Sequence, residues 1–401
     1  MNKINFNEMI IRRGTGCAKW DALENMFGLE NADDVIPMWV ADTDFLCAPE
    51  IGVAVKKAVE LELYGYKAPN PEVLKAAAGW LKKRFDFEVD TKYMATMTGV
   101  VAVVTNAIQT FTSKGDGIII QTPVYYPFAN TIRANERNII EAPLVESENH
   151  GILHYAIDFD VLEKACARGD AKMLVLCSPH NPIGRVWTKE ELAKIGEICR
   201  KHDVFVLSDE IHGDIIMKGH EFIPFLKACP ESYDTAMSSM SASKTFNVAG
   251  LHASYVVIPS EDNLKAFKTN MTRNSSPAIG VVGGEALIAA YTQAEYYVAE
   301  FNEYIESNFD YMIDFVKTHL PEVKIVKPEG TYLIWLDISA MISEGTDVKD
   351  FMAKEVKVAV DPGYWFSEGY KGYIRMNAAT TRERLEICME RLEKALKGLK
   401  K

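Results

Sequence analysis

Two apolar runs decide the fold: Met173-Leu174-Val175-Leu176-Cys177 and, after an intervening helical pattern, Val204-Phe205-Val206-Leu207. Neither alternates apolar with polar, so each predicts a strand covered on both faces, as in a mostly parallel sheet. Between them Thr188 and Glu191 form a T-x-x-E capping box, and Leu192, Ile195, Ile198 and Cys199 recur at helical spacing. Strand, helix, strand in that order implies a right-handed crossover. Upstream, Gly99 to Phe111 reads as a helix opened by a glycine, and Gly115-Asp116-Gly117 turns into another buried run, Ile118-Ile119-Ile120.

The end of the chain has a different texture. One long helix is expected from about Gly283 to His319, then strands at Thr331–Leu336 and Tyr373–Met376, then an amphipathic helix from about Arg382 to Leu399. A smaller α+β domain following a larger α/β one fits that pattern. No period of 20–50 residues and no low-complexity linker interrupts it.

Composition bounds the function. The 401 residues are 48% hydrophobic and 25% charged, with a net charge of −12. A chain this acidic, without a basic patch, is not expected to bind nucleic acid. No run of eighteen apolar residues is present, so no membrane span is expected, and Met1 to Glu8 lacks the apolar stretch of a signal peptide. The seven cysteines (17, 47, 166, 177, 199, 229, 388) contain no C-x-x-C pair, so neither a metal site nor a disulfide framework is indicated. A cytoplasmic protein is expected.

Generic catalytic signatures are missing: no G-x-S-x-G, H-E-x-x-H, P-loop or G-x-G-x-x-G. Polar residues gather instead at the carboxyl ends of the predicted strands, where open α/β sheets bind ligands. Met173–Cys177 runs into Ser178-Pro179-His180-Asn181-Pro182-Ile183-Gly184-Arg185, a rigid turn that aims the Asn181 amide. Val204–Leu207 runs into Ser208-Asp209-Glu210-Ile211-His212, placing an acid where it can hold a proton on a heterocyclic nitrogen. A third stretch, Ser238-Ser239-Met240-Ser241-Ala242-Ser243-Lys244, crowds hydroxyls ahead of one lysine. Hydroxyls suit a phosphate, and a desolvated lysine is a nucleophilic amine. Singly, these stretches also read as an Asx turn, a helix cap and a polar loop.

In this order and spacing the three motifs resemble the fold-type I pyridoxal-phosphate enzymes of the aminotransferase class I/II superfamily. Pro37-Met38-Trp39-Val40-Ala41-Asp42-Thr43-Asp44-Phe45, Asn181 to Trp187, Ser208 to Asp214 and Tyr373 to Ala379 look like its MalY/PatB branch of cystathionine β-lyases and related C–S β-lyases. The resemblance implies an α/β fold: a large domain with a mostly parallel central sheet and helices on both faces, and a smaller α+β domain. The expected division is an N-terminal segment joining the small domain (1–45), a large cofactor-binding domain (46–285) and a small C-terminal domain (286–401).

It also implies roles. Lys244 would bond covalently to pyridoxal 5′-phosphate and take the substrate's Cα proton, and Asp209 would keep the pyridine nitrogen protonated. Asn181 would donate to the phenolate oxygen and also meet the substrate, Tyr125 would stack on the ring, and His212, which stands where many aminotransferases have a tyrosine, would also bind the cofactor. Gly99, Val100 and Val101, with Ser241 and Ser243, would cradle the phosphate. Arg375 would bind the substrate α-carboxylate, while Trp39, Val40 and Ala41 would line the mouth. Tyr64 would reach the phosphate of a neighbouring subunit, which makes the expected partner a second copy of the chain in a homodimer. Many members carry an arginine eight residues after the lysine; here that position is His252, which is not expected to bind. The implied reaction is α,β-elimination from a thio amino acid such as L-cystathionine or L-cysteine. An aminotransferase, or a regulatory protein keeping the fold, are the alternatives.

Overall fold

The computed structural model describes residues 4–63, 65, 68, 70–276 and 278–399. Its seven-stranded sheet runs in the order 94–97, 254–257, 236–241, 205–209, 171–177, 117–120, 138–141. Every pairing is parallel except those of Ser254–Val257, which is antiparallel to both neighbours. The two apolar runs that decided the fold lie side by side, with Leu174 opposite Val206 and Cys177 opposite Asp209.

Their lack of alternation has a direct cause. Met173, Val175 and Cys177 enter one apolar core with Val103, Val104 and Ile108 of the helix Val100–Phe111, whereas Leu174 and Leu176 enter another with Leu192, Ile195 and Ile198. Side chains alternate across a strand, so a sheet with a core on each face needs apolar residues at every position. The capping box forms as expected: Thr188 Oγ1 accepts from the Glu191 amide at 3.2 Å, and Glu191 Oε2 accepts from the Thr188 amide at 2.8 Å. Gly184, at φ +69°, closes the turn after 171–177. A Cβ there would lie 2.7 Å from the Pro328 side chain.

A six-stranded sheet holds the C-terminal strands, in the order 361–362, 373–377, 333–337, 324–326, 152–156, 145–149. The hairpin of Val145–Asn149 and Ile152–Ala156 thus joins strands more than 160 residues further on. The expected long helix is two, Val281–Gln293 and Glu295–His319, meeting at Ala294 (φ −114°, ψ 24°). Nothing in Gln293-Ala294-Glu295 breaks a helix. The first piece packs against Pro49–Glu60 and Pro71–Phe85, the second against Arg382–Leu399, and serving both surfaces requires the bend. The last helix spans the expected residues, and the two strands come out as Leu333–Asp337 and Tyr373–Asn377.

The N-terminal segment is tied to the far end of the chain. Ile36–Pro37 pairs in parallel with Val358–Ala359, and the Asn377 amide donates to the Met38 carbonyl at 2.8 Å. Asp44, fully buried, receives Lys19 Nζ at 3.1 Å, Arg384 at 3.0 Å and Trp20 Nε1 at 3.1 Å. Among the described residues no helix is long and apolar enough to cross a membrane, and no cluster of metal ligands occurs.

Candidate active site

A cavity of about 310 Å³ opens where the parallel strands end, and its wall brings together Ala41, Gly99, Val100, Val101, Tyr125, Asn181, Asp209, His212, Ser243 and Lys244. Asp209 closes the strand Phe205–Asp209 and is buried. Its Oδ1 accepts from the Ile211 amide at 3.1 Å. Burial raises its carboxyl to about 7, against the pull of that amide and of Lys244. An acid so short of compensation is suited to a cationic ring nitrogen.

Lys244 Nζ donates to the Ala41 carbonyl at 2.6 Å. Burial lowers its ammonium to about 8; Asp42 and Asp209 resist this and Arg375 adds to it. His212 is buried with its ring edge-on to Tyr332, at 5.7 Å between centroids. Burial, Lys244 and Arg375 push its pKa well below the ordinary value, so it is neutral, and Nδ1 has no partner. The Tyr125 amide donates to the Asn181 carbonyl at 3.0 Å, holding ring and amide in fixed relation. Asn181 Oδ1 accepts from Arg375 NH1 at 2.8 Å, which leaves the Asn181 amide nitrogen for another acceptor.

Gly99 caps the helix Val100–Phe111, whose first-turn amides lack intrahelical acceptors and suit an anion. Ser243 faces the cavity, but Ser241 stands behind it. Ser241 Oγ donates to the Ala253 carbonyl at 2.5 Å and bonds Ser243 Oγ at 2.7 Å, so it braces Ser243 without reaching the wall. Trp39 likewise turns away: its ring packs with Phe27 and Ala353 and its Nε1 donates to the Lys19 carbonyl at 2.9 Å, with Val40 against the same cluster. Tyr64 lies outside the described residues. Thr98, Ala102, Cys177, Ile211 and Ala249 are on the wall without having been singled out for it, and His252, not expected to bind, is on it too. His252, at φ +53°, follows the short helical turn Ala249–Leu251 and stands eight residues after Lys244, the position where the resemblance puts an arginine in many members.

Arg375 is buried on strand Tyr373–Asn377 and reaches the site through its partners. NH1 meets Asn181, while NH2 meets the Trp39 carbonyl at 2.9 Å and the carboxylate of Asp361. Phe366 lies under the guanidinium, 5.0 Å from its ring centroid. Nothing in the sequence singled out Asp361.

An aromatic face, a buried acid, a neutral imidazole with an orphaned nitrogen, an amine of lowered pKa and a helix N-terminus with a serine form a donor set that fits a phosphorylated pyridine aldehyde.

Comparison with known proteins agrees. The family model Aminotransferase class I and II matches residues 33–392, and the chain belongs to that family. It is 36% identical to Cystathionine beta-lyase PatB of Bacillus subtilis over 98% of this chain and all of that protein. With Protein MalY of Escherichia coli it shares 30% over 99% of this chain and all of that one. Among solved structures, cystalysin from Treponema denticola, which contains pyridoxal 5′-phosphate, superposes with a TM-score of 0.94 at 36% identity, covering 99% of this chain and 100% of that one. The PLP-bound C–S lyase from Staphylococcus hominis gives 0.91 at 33%, covering 98% of each.

Proposed function

We propose that this chain, a pyridoxal-phosphate-dependent C–S β-lyase, acts on L-cystathionine and related thio amino acids such as L-cysteine, releasing a thiol, pyruvate and ammonia. The observation that carries the reading is the convergence of Lys244, Asp209, Asn181 and His212 on one cavity, with Arg375 bonded to Asn181 at its edge.

When bound, the cofactor supplies an electron-withdrawing ring that stabilises negative charge at the substrate's Cα. The protein supplies the rest. Asp209 holds the proton on the ring nitrogen, and the opposite charge it meets there offsets the cost of its burial. Asn181 donates its free amide to the phenolate oxygen. The amides of Val100 and Val101 with Ser243 hold the phosphate, braced by Ser241. Arg375 receives the substrate α-carboxylate beside Asn181. Lys244, with its pKa near 8, is available as a base close to neutral pH and takes the Cα proton. The Ala41 carbonyl accepts a hydrogen bond from the resulting ammonium. Overall, with the proton from Cα returned to the leaving sulfur and one water consumed, the substrate would yield a thiol, pyruvate and ammonia.

The assembly belongs to the same proposal. Val53, Leu61 and Leu63 stand 67%, 55% and 73% exposed on and just after the helix Pro49–Glu60, beside the segment carrying Tyr64. A second copy covering this face would form a homodimer and bring Tyr64 to its neighbour's phosphate. We place the enzyme in the cytoplasm. The test is pyruvate release from L-cystathionine by purified protein with no keto acid added: many turnovers in step with free thiol are expected. No pyruvate, with amino transfer to an added keto acid, would make it an aminotransferase.

A further inference from the structure

Arg375 and Asp361 face each other across an antiparallel register, in direct Cα partnership on strands 361–362 and 373–377. Their side chains are 3% and 1% exposed. Of the five guanidinium N–H groups, NH2 commits both of its own, to Trp39 and Asp361, and NH1 commits one to Asn181. Arg375 Nε is buried without a partner, and so is Asp361 Oδ1. Ion pairs buried this deeply ordinarily satisfy their remaining hydrogen-bonding groups, so the under-used pair marks a place where a further charged group is received. Burial raises the Asp361 carboxyl to about 6, with Arg375 opposing.

We propose that Asp361 sets the affinity and selectivity of the substrate pocket by competing, from inside the fold, with the substrate α-carboxylate for Arg375. The inference rests on the reading of Arg375 as the carboxylate site. With Asp361 ionised the free pocket is locally neutral at the guanidinium, and an incoming carboxylate becomes the second anion on one cation. Without that charge the same guanidinium is a buried, unneutralised cation that gains far more from the ligand's carboxylate. The arrangement also confers selectivity. An uncompensated guanidinium in a closed cavity would draw any small anion, whereas a neutralised one favours a ligand that bonds through its amine as well.

The test uses the cofactor-loaded protein and two amines that carry no leaving group and so cannot undergo elimination, L-alanine and ethylamine, which differ by the carboxylate. Binding is read from the visible band of the cofactor. Asp361→Asn keeps size and an acceptor oxygen for NH2 but removes the charge, and Asp361→Ser removes it with less bulk. In either folded variant the dissociation constant for L-alanine should fall about tenfold while that for ethylamine is unchanged, and acetate should begin to compete with L-alanine. An Asp361 that only orients Arg375 predicts the reverse, weaker L-alanine binding. That result, no change, equal shifts for both amines, or failure of both variants to fold would overturn the proposal. A wild-type protein with no visible band would overturn the cofactor reading along with it. Failure of cystathionine turnover alone would overturn the lyase reading and leave the alanine result to stand by itself.

Discussion

Lys244 Nζ sits 2.6 Å from the carbonyl oxygen of Ala41, a residue 203 positions earlier in the chain. The same oxygen accepts the Tyr332 hydroxyl at 2.9 Å. One backbone atom from the N-terminal segment therefore fixes the direction of the only lysine on the cavity wall among the described residues.

Replacing that amine removes both the attachment point and the base. Lys244→Ala is expected to lower turnover at least about a thousandfold and to abolish the visible absorbance of lysine-bound cofactor. Spectroscopy of the purified variant beside a pyruvate assay checks both, and an active variant of normal colour would sink the assignment.

Asp209→Asn should have effects of opposite sign with and without cofactor. In the cofactor-free protein the Asp209 carboxyl titrates at about 7, against an ordinary value of 3.8. Between those values the folded state holds a proton that the unfolded state has lost, so Asp209 makes stability fall as pH rises from about 4 to 7. By pH 8 the asparagine variant should be more stable than wild type, by up to about 4 kcal/mol, with the gap closing towards pH 4. With cofactor bound the carboxylate is needed, so the variant should hold cofactor less tightly. Urea melts of both forms at pH 5 and 8 test the pair of signs.

Asp44→Ala tests the N-terminal anchor. Burial alone would raise the Asp44 carboxyl, but Lys19 and Arg384 outweigh it and hold the pKa below its ordinary value. The contribution is therefore present above pH 4 and lost as pH falls below it. Removing the carboxylate strands two buried cations, at a cost of about 3–5 kcal/mol. A denaturant midpoint unchanged at pH 7 would contradict this.

Arg375→Lys should raise KM for amino-acid substrates by about 10–100-fold, with a smaller effect on kcat. A compact ammonium cannot span Asn181, the Trp39 carbonyl and Asp361 while leaving donors for a carboxylate. Steady-state kinetics on L-cystathionine decides it.

How far these contacts were legible in the sequence depended on how local they were. The buried strands, the helix from Val100 and the capping box declare themselves within a few residues, through periodicity and cap chemistry. Asp209, Asn181 and Lys244 lie just beyond or at strand ends, so reading the strands locates them. The bend at Ala294 does not show, because it comes from two packing surfaces rather than from a breaking residue. The withdrawal of the Trp39 ring and the pairing of Asp361 with Arg375 are tertiary matters too. An aspartate before Pro362 and Gly363 looks like any turn until strand register sets it against the arginine.

The stretch from Trp39 to Thr43 also carries a consequence for biosynthesis. Its successive carbonyls are taken by Arg375, Asn377, Lys244 with Tyr332, Lys19 with Asn377, and Arg12 with Asn247. A ribosome delivers Trp39 and Val40 336 and 337 residues before their partners Arg375 and Asn377. The wall of the cavity beside Lys244 therefore cannot close on a nascent chain. A product truncated before Tyr373 has the lysine, the acid and the phosphate-binding helix, yet lacks Arg375 and Asn377, which hold the carbonyls of Trp39, Val40 and Asp42. Stops placed before Tyr373 should therefore yield colourless protein.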